Sequence, residues 1–186
     1  GGGASQVATT LYNAAFFAGL RIISHQPHEV YISRYPMGRE ATISWPSPDL
    51  VFRNDWDAPI YLRVRTTATS VTVQMLSRRL GRRVETTMGE PEGRVEPKTI
   101  RNYDPTLAPG TEAVDQSMGG SGFTIRYTRK VYRGSRLLRD EAWSWSYRAV
   151  DAIVRYGPDA PASTAPTGPP ASSTAPPEPT GTAPPG

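Results

Sequence analysis

Gly1-Gly2-Gly3-Ala4-Ser5-Gln6-Val7-Ala8-Thr9-Thr10-Leu11-Tyr12-Asn13-Ala14-Ala15-Phe16-Phe17-Ala18-Gly19-Leu20 opens the chain with its one strong helical pattern. Val7, Leu11, Ala14, Ala15 and Ala18 recur at spacings of three and four, Tyr12 and Phe16 stand one turn apart, and Gly19 offers a C-terminal stop. This predicts a helix over about residues 5–18. Beyond Gly19 the period changes to two. Val30 and Ile32 alternate with Tyr31 and Ser33, and Ala41, Ile43 and Trp45 with Thr42 and Ser44. Ile60, Leu62 and Val64 then alternate with Tyr61, Arg63 and Arg65, and Val71, Val73 and Met75 follow suit. Short alternating runs predict a sheet with one buried face, and the helix lies across it. Prolines at positions 36, 46, 48 and 59 separate the runs, because proline cannot sit in a central strand.

A second β segment begins after Gly89-Glu90-Pro91-Glu92-Gly93. Phe123, Ile125 and Tyr127 alternate on an incoming strand, Gly134-Ser135 suits a two-residue turn with glycine first, and Trp143, Trp145 and Tyr147 alternate on the return. From Asp159 onward the chain is Pro, Ala, Thr, Ser and Gly with two charged residues, Asp159 and Glu178. Such a composition does not bury enough surface to offset its ordering entropy. The expected architecture is α+β: one N-terminal helix packed on a mainly antiparallel sheet (1–89), a small all-β module (90–158) and a disordered tail (159–186).

The chain has 186 residues, 21 Lys and Arg, 17 Asp and Glu, and no cysteine. Without cysteine there is no disulfide, no thiol nucleophile and no cysteine metal site, so stability rests on the core. All the basic residues precede the tail and two acidic ones lie within it, so residues 1–158 carry a formal +6 against +4 for the whole chain. That field favours anionic partners without choosing among nucleic acid, acidic lipid and wall polymers. The arginines are scattered through several β runs and not gathered on one helix or ribbon, which argues against nucleic acid. The phosphate-loop and dinucleotide patterns are absent, and no cofactor is expected.

The glycine run admits four uses: a solvated linker, a tight turn, a ligand-binding loop or a catalytic loop. Close backbone approach is the expected one, since three glycines add unfolded-state entropy that only a folded use would justify. A helix start behind them presents free N–H groups and a positive dipole end. Ser5 there is either the N-cap, the preferred reading, or a nucleophile with His28 as base and Glu40 or Asp49 orienting the imidazole. His25 and His28 are three apart with Pro27 between them, and a metal pair completed by Glu40 or Asp49 is conceivable but not adopted. Arg34, Arg39 and Arg53 lie near Tyr31, Tyr35 and Trp45, a mixture suited to a peptide or glycan strand ending in carboxylate. Core use is expected for Trp45. Arg39 and Glu40, as neighbours, point to opposite faces if both are in a strand. The candidate ligand-binding set is therefore Gly1, Gly2, Gly3, Gln6, His28, Arg34, Arg39 and Glu40, with Ser5 and His28 as the candidate reacting pair.

The string GGGASQVATTLYNAAFFAGL, followed by HQPHEVYISRYPMGREATISWPSPDLVFRND, resembles the signature of the VanW-like family, cell-envelope proteins named after an accessory protein of vancomycin-resistance clusters. The resemblance implies an extracytoplasmic, wall-associated protein that binds peptidoglycan or a related anionic wall polymer, and it points to His28 more than to His25. Many relatives carry cysteine where this chain has Ser5, which turns the expectation from catalysis toward binding. The rival expectation is an enzyme acting on wall peptides. The span from about 97 to 157 resembles the small β module called the G-five domain, which implies attachment to wall-active proteins and binding of amino sugars. The chain reads as a fragment starting within the motif, with export segment and any membrane anchor upstream.

Overall fold

The computed structural model describes residues 2–79 and 81–160, so nearly all of the expected tail lies outside the described residues. Helix α1 (Gly2–Phe17) is followed by β1 (Arg21–Ser24), β2 (Val51–Arg53), β3 (Tyr61–Thr66), β4 (Val71–Leu76), β5 (Arg82–Met88), β6 (Glu92–Val95), β7 (Thr99–Tyr103), β8 (Glu112–Gln116), β9 (Gly122–Arg133), β10 (Arg136–Tyr147) and β11 (Ala152–Tyr156). The class is α+β, with one helix and mostly antiparallel pairing.

The helix stops where its sequence says it should. Gly19 takes φ 68°, its N–H reaches Phe16 O at 3.1 Å, and Leu20 N–H reaches Ala15 O at 3.1 Å. These two bonds are the paired closures of a Schellman motif, which only a residue at ease with positive φ can make. The start differs from expectation. The helix begins at Gly2, so Gly2 and Gly3 lie in its first turn and do not lead into it.

The long hairpin also forms as its alternation requires. β9 and β10 pair from Arg133↔Arg136 to Phe123↔Tyr147, and Gly134 at the turn has φ 59°. On β9 the residues Ile125, Tyr127, Arg129 and Val131 are all buried on one face. That face packs on α1: Phe16 meets Tyr127 at 6.2 Å and Trp143 at 5.7 Å between ring centroids. Ala8, Tyr12, Phe16, Ala41 and Tyr127 form the core cluster, with Ile22, Leu50 and Trp143 packed against it. Each large side chain so buried contributes about 1.5–3 kcal/mol. The helix therefore finds its sheet more than 100 residues downstream. β5, on the N-terminal side of Gly89, is hydrogen-bonded to β9 on the C-terminal side, so the sheet runs across the boundary expected there.

Between β1 and β2 the expected strands at 30–32 and 41–45 are coil. Prolines at 27, 36, 46 and 48 remove donors that a ladder would need, and the remaining bonds are local or irregular: Tyr35 N to Ile32 O at 2.9 Å, Thr42 N to Gln26 O at 2.7 Å, Ser44 N to Pro48 O at 2.9 Å. The one sheet expected over these runs is accordingly replaced by two separate two-stranded sheets, β1–β2 and β3–β4. Trp45, expected in the core, is 95% exposed, while Tyr35 is buried. β7, β11 and β8 form a third small sheet whose β7–β11 pair is parallel.

Candidate ligand-binding site

The coil of residues 25–41 lies on the aromatic face of β10 and is fixed there by a buried polar network. Its centre is Gly38. Gly38 N–H donates to Tyr147 Oη at 2.7 Å, and Tyr127 O–H donates to Gly38 O at 2.9 Å. Gly38 has φ 68°, and a Cβ there would stand 2.7 Å from Tyr127 Cε1, so conformation and space both demand glycine. With the Tyr127 proton committed to Gly38, Tyr127 Oη is left to accept from Tyr12 O–H at 3.2 Å and from His25 Nε2–H at 3.0 Å.

Glu40 is completely buried, and both its oxygens are bonded, Oε2 to His28 Nδ1 and Oε1 by the Tyr147 hydroxyl. A buried carboxylate is tolerable on those terms. The His28 ring stacks on Tyr35, 5.4 Å between centroids and 14° from parallel, and Trp145 Nε1 donates to His28 O at 2.9 Å. Burial pushes the Tyr12 hydroxyl up to about 12 and raises those of Tyr127 and Tyr147 further. Burial also brings His25 down to about 4, so its imidazole is neutral at pH 7.

Of the residues singled out in the sequence, the fold brings His28 and Glu40 together. Asp49 instead bonds Leu50 N at 2.8 Å. Ser5 sits within the helix, too far in to be its N-cap, and no hydrogen bond joins it to His28 among the described residues. It lies one turn before Thr9, whose Oγ1 accepts from Ala41 N at 3.0 Å, beside Glu40. Gly1 lies outside the described residues, Gly2 opens the helix, and nothing comes within 4 Å of a Cβ placed on Gly3, so no close approach within the protein explains that glycine. Gln6 is half-buried and its carbonyl accepts from Thr10 Oγ1 at 2.7 Å. Arg34 is exposed, without an ion-pair partner among the described residues. Arg39 and Glu40 do diverge, although in coil: the Arg39 guanidinium lies over Phe17 at 5.0 Å and Phe16 at 5.7 Å. Arg39 Nε and Nη1 are buried without a hydrogen-bond partner, and burial lowers the pKa of this side chain. No group of three His, Asp or Glu side chains capable of holding a metal occurs among the described residues.

A cavity of about 490 Å³ opens beside this network, walled by Tyr31, Met37 and Phe123 with Arg94 and Arg148 at its polar side. Tyr31 stands edge-on to Phe123 and to Tyr147, 5.4 Å from each centroid. Arg94 pairs with Glu96 across an exposed contact, while Arg148 has no ion-pair partner among the described residues and touches Ala149 O at 3.4 Å. Tyr31 was noted in the sequence for its nearness to arginines. Its ring partners, Phe123 and Tyr147, come from β9 and β10, which no local pattern could show.

Comparison with known proteins agrees with the N-terminal resemblance. Residues 1–76 are similar to the family described as VanW like protein. Over 77 residues the chain is 39% identical to uncharacterized protein YoaR of Bacillus subtilis (strain 168), an alignment that takes in 41% of this chain and 25% of that protein. The chain thus spans about a quarter of that relative's length. Among solved structures, the G5 domain of IgA1 protease shares 21% identity over 41% of this chain and 86% of its own, with a TM-score of 0.26. HP0197-G5 shares 16% identity over 41% of this chain and 95% of its own, with a TM-score of 0.20.

Proposed function

We propose that this chain is part of an extracytoplasmic cell-envelope protein that binds peptidoglycan or a related anionic wall polymer. The observation that carries the reading is the cavity in which two aromatic rings, Tyr31 and Phe123, face an arginine without a carboxylate partner, Arg148. Aromatic faces stack on sugar rings and a guanidinium fork holds carboxylate, the two chemistries that wall glycan with its lactyl and peptide acids presents. Arg94 adds charge, and His28 with Glu40, joined to Tyr147, sits behind the aromatic wall. The VanW-like N-terminal segment supports an envelope location. No helix among the described residues is long and apolar enough to cross a membrane.

The test is retention on purified sacculi against a control of matched size and charge. Wild type is retained, and Phe123→Ala with Arg148→Gln is not. Equal retention of wild type and control sinks the reading.

One observation favours a second reading, hydrolysis or transpeptidation of wall peptides through Ser5 and His28. Glu40 holds His28 by Nδ1, the way an orienting carboxylate holds a general base. Ser5→Ala with undiminished turnover of muropeptides removes it.

A further inference from the structure

A groove runs between β1 and β10, and its walls are strand edges. Among the described residues β1 pairs with β2 alone and β10 with β9 alone, so each keeps one unpaired edge, and both strands border the same space. The lining brings both strands to one space, with Tyr127 of β9 and the coil residues His25 and Pro27 beside them. Ile22, Ile23 and Ser24 line one side in unbroken succession and Trp143, Ser144 and Trp145 the other, around a space of about 330 Å³. Successive side chains of a strand point to opposite faces, so three in a row border one space only where the backbone edge itself is open to it. The groove continues past Arg21 to Leu138 and Arg139 as a second space of about 580 Å³. Both strands run the same way along it: Arg21 and Leu138 border the second space, Ser24 and Trp145 the first, and beyond them Glu29 O accepts from Arg148 N at 2.7 Å.

The charge at the wide end is unbalanced. Arg21 and Arg53 are directly opposite in the β1–β2 register, both exposed, and neither has an ion-pair partner among the described residues. Like charges directly opposite destabilise a strand pair unless an anion lies between them. The two acids bordering the groove are already used. Asp55 is held by Arg82 at 2.9 Å and by Arg139, and Glu141 by Arg129 at 2.7 Å.

We infer that the groove takes an extended peptide as an added strand between β1 and β10, with a carboxylate of that peptide held by Arg21 and Arg53. Main-chain bonding to two edges makes the binding tolerant of peptide sequence, and the arginine pair selects acidic ends. The inference rests on the wall-binding reading only for the peptide's source, the peptide arm of the wall polymer.

The test uses the whole chain and fluorescein-labelled acetyl-Thr-Val-Thr-Val-Glu, followed by anisotropy. Binding is expected with Kd below about 1 mM. Replacing the acids by amides, or Arg53 by Gln (R53Q), weakens it about tenfold, and the two losses do not add. N-methylation at alternate peptide nitrogens abolishes it, while thermal melting shows R53Q folded. No binding by about 1 mM, equal binding of the N-methyl peptide, or an unaffected R53Q each overturns the inference. So does a dimer in sedimentation that the peptide fails to displace, since a second copy would then fill the groove. Retention on sacculi without peptide binding sinks the groove alone, and peptide binding without retention sinks the wall reading alone.

Discussion

Two groups of arginines in this chain contrast, and only one is spent on holding helix to hairpin. At the C-terminal end of α1, Arg129 donates to Phe16 O at 2.9 Å and to Leu20 O at 3.0 Å, Arg82 donates to Gly19 O at 2.7 Å, and Arg139 reaches the same carbonyl. Three guanidinium groups thus meet carbonyls at the negative dipole end of the only helix among the described residues, and Asp55 and Glu141 balance their charge. Arg21, Arg34, Arg53 and Arg148 have no such acid among the described residues. The first group holds helix to hairpin, and the second is left for something else. Net charge could not have made the division, since both groups count equally in it.

Removing Arg129 is the sharpest way to break the comparison. The side chain is fully buried over Phe16 and Trp143, at 4.7 and 5.5 Å from their centroids. Arg129→Met takes a buried donor from Glu141 and from the carbonyls of Phe16 and Leu20, and costs about 3–5 kcal/mol in urea unfolding. Arg148→Gln changes stability by less than about 0.5 kcal/mol. Equal losses would mean that the outer arginines are structural too.

Gly38 asks the same question of the polar network. Gly38→Ala forces a methyl onto Tyr127 at positive φ and costs about 2–4 kcal/mol by thermal melting. Gly93 has φ 62° with nothing within 4 Å, so Gly93→Ala costs about 1 kcal/mol. A cost at Gly38 no larger than at Gly93 would show that the coil is loosely held on β10.

His25 sharpens it by titration. Its folded pKa, about 4, lies below the 6.5 of the free side chain, because burial opposes the charged ring. Between those values the unfolded chain binds a proton that the folded chain does not. Stability is therefore full above pH 6.5 and falls as pH drops toward about 4, by roughly 2–4 kcal/mol. Urea midpoints measured across that window check it, and His25→Asn removes the slope whatever it costs at neutral pH.

How much of this was legible depends on where the partner of each residue lay. The hairpin could be read because its alternation and its Gly134-Ser135 turn are local, and so could β3, β4 and the Gly19 stop. His28 and Glu40, only 12 apart, were read as a pair among alternatives. The runs at 30–32 and 41–45 misled because coil lying on an aromatic face can alternate as a strand does, and only the hydrogen bonds tell them apart. Arg129 was missed although the signal was present. Its parity places it on the inward face with Ile125, Tyr127 and Val131, and a guanidinium at such a position must find carbonyls or an acid. What the sequence could not supply was the helix end waiting there. The glycine run misled differently: crowding was expected, and Gly3 has none.

Asp55 gives a smaller effect than Arg129, Gly38 or His25 and tests the boundary between the two groups. It serves Arg82 and Arg139 at once but keeps about a quarter of its side-chain surface exposed, with 24% accessible. Burial alone would raise its pKa, yet the hydrogen bonds from Arg82 and Arg139 outweigh that and hold the carboxyl below the ordinary 3.8. A depressed carboxylate stabilises the fold above its unfolded pKa and loses that contribution as pH falls through the folded value. Because solvent screens the pair, Asp55→Asn costs about 1 kcal/mol or less at pH 7, and the difference from wild type vanishes in strong acid. High salt distinguishes the two arginine groups in the same experiment. It weakens anion capture by exposed Arg21 and Arg53 while leaving the bonds from buried Arg129 to the helix end nearly untouched. Unfolding midpoints that fall with salt as steeply as peptide binding does would erase the distinction.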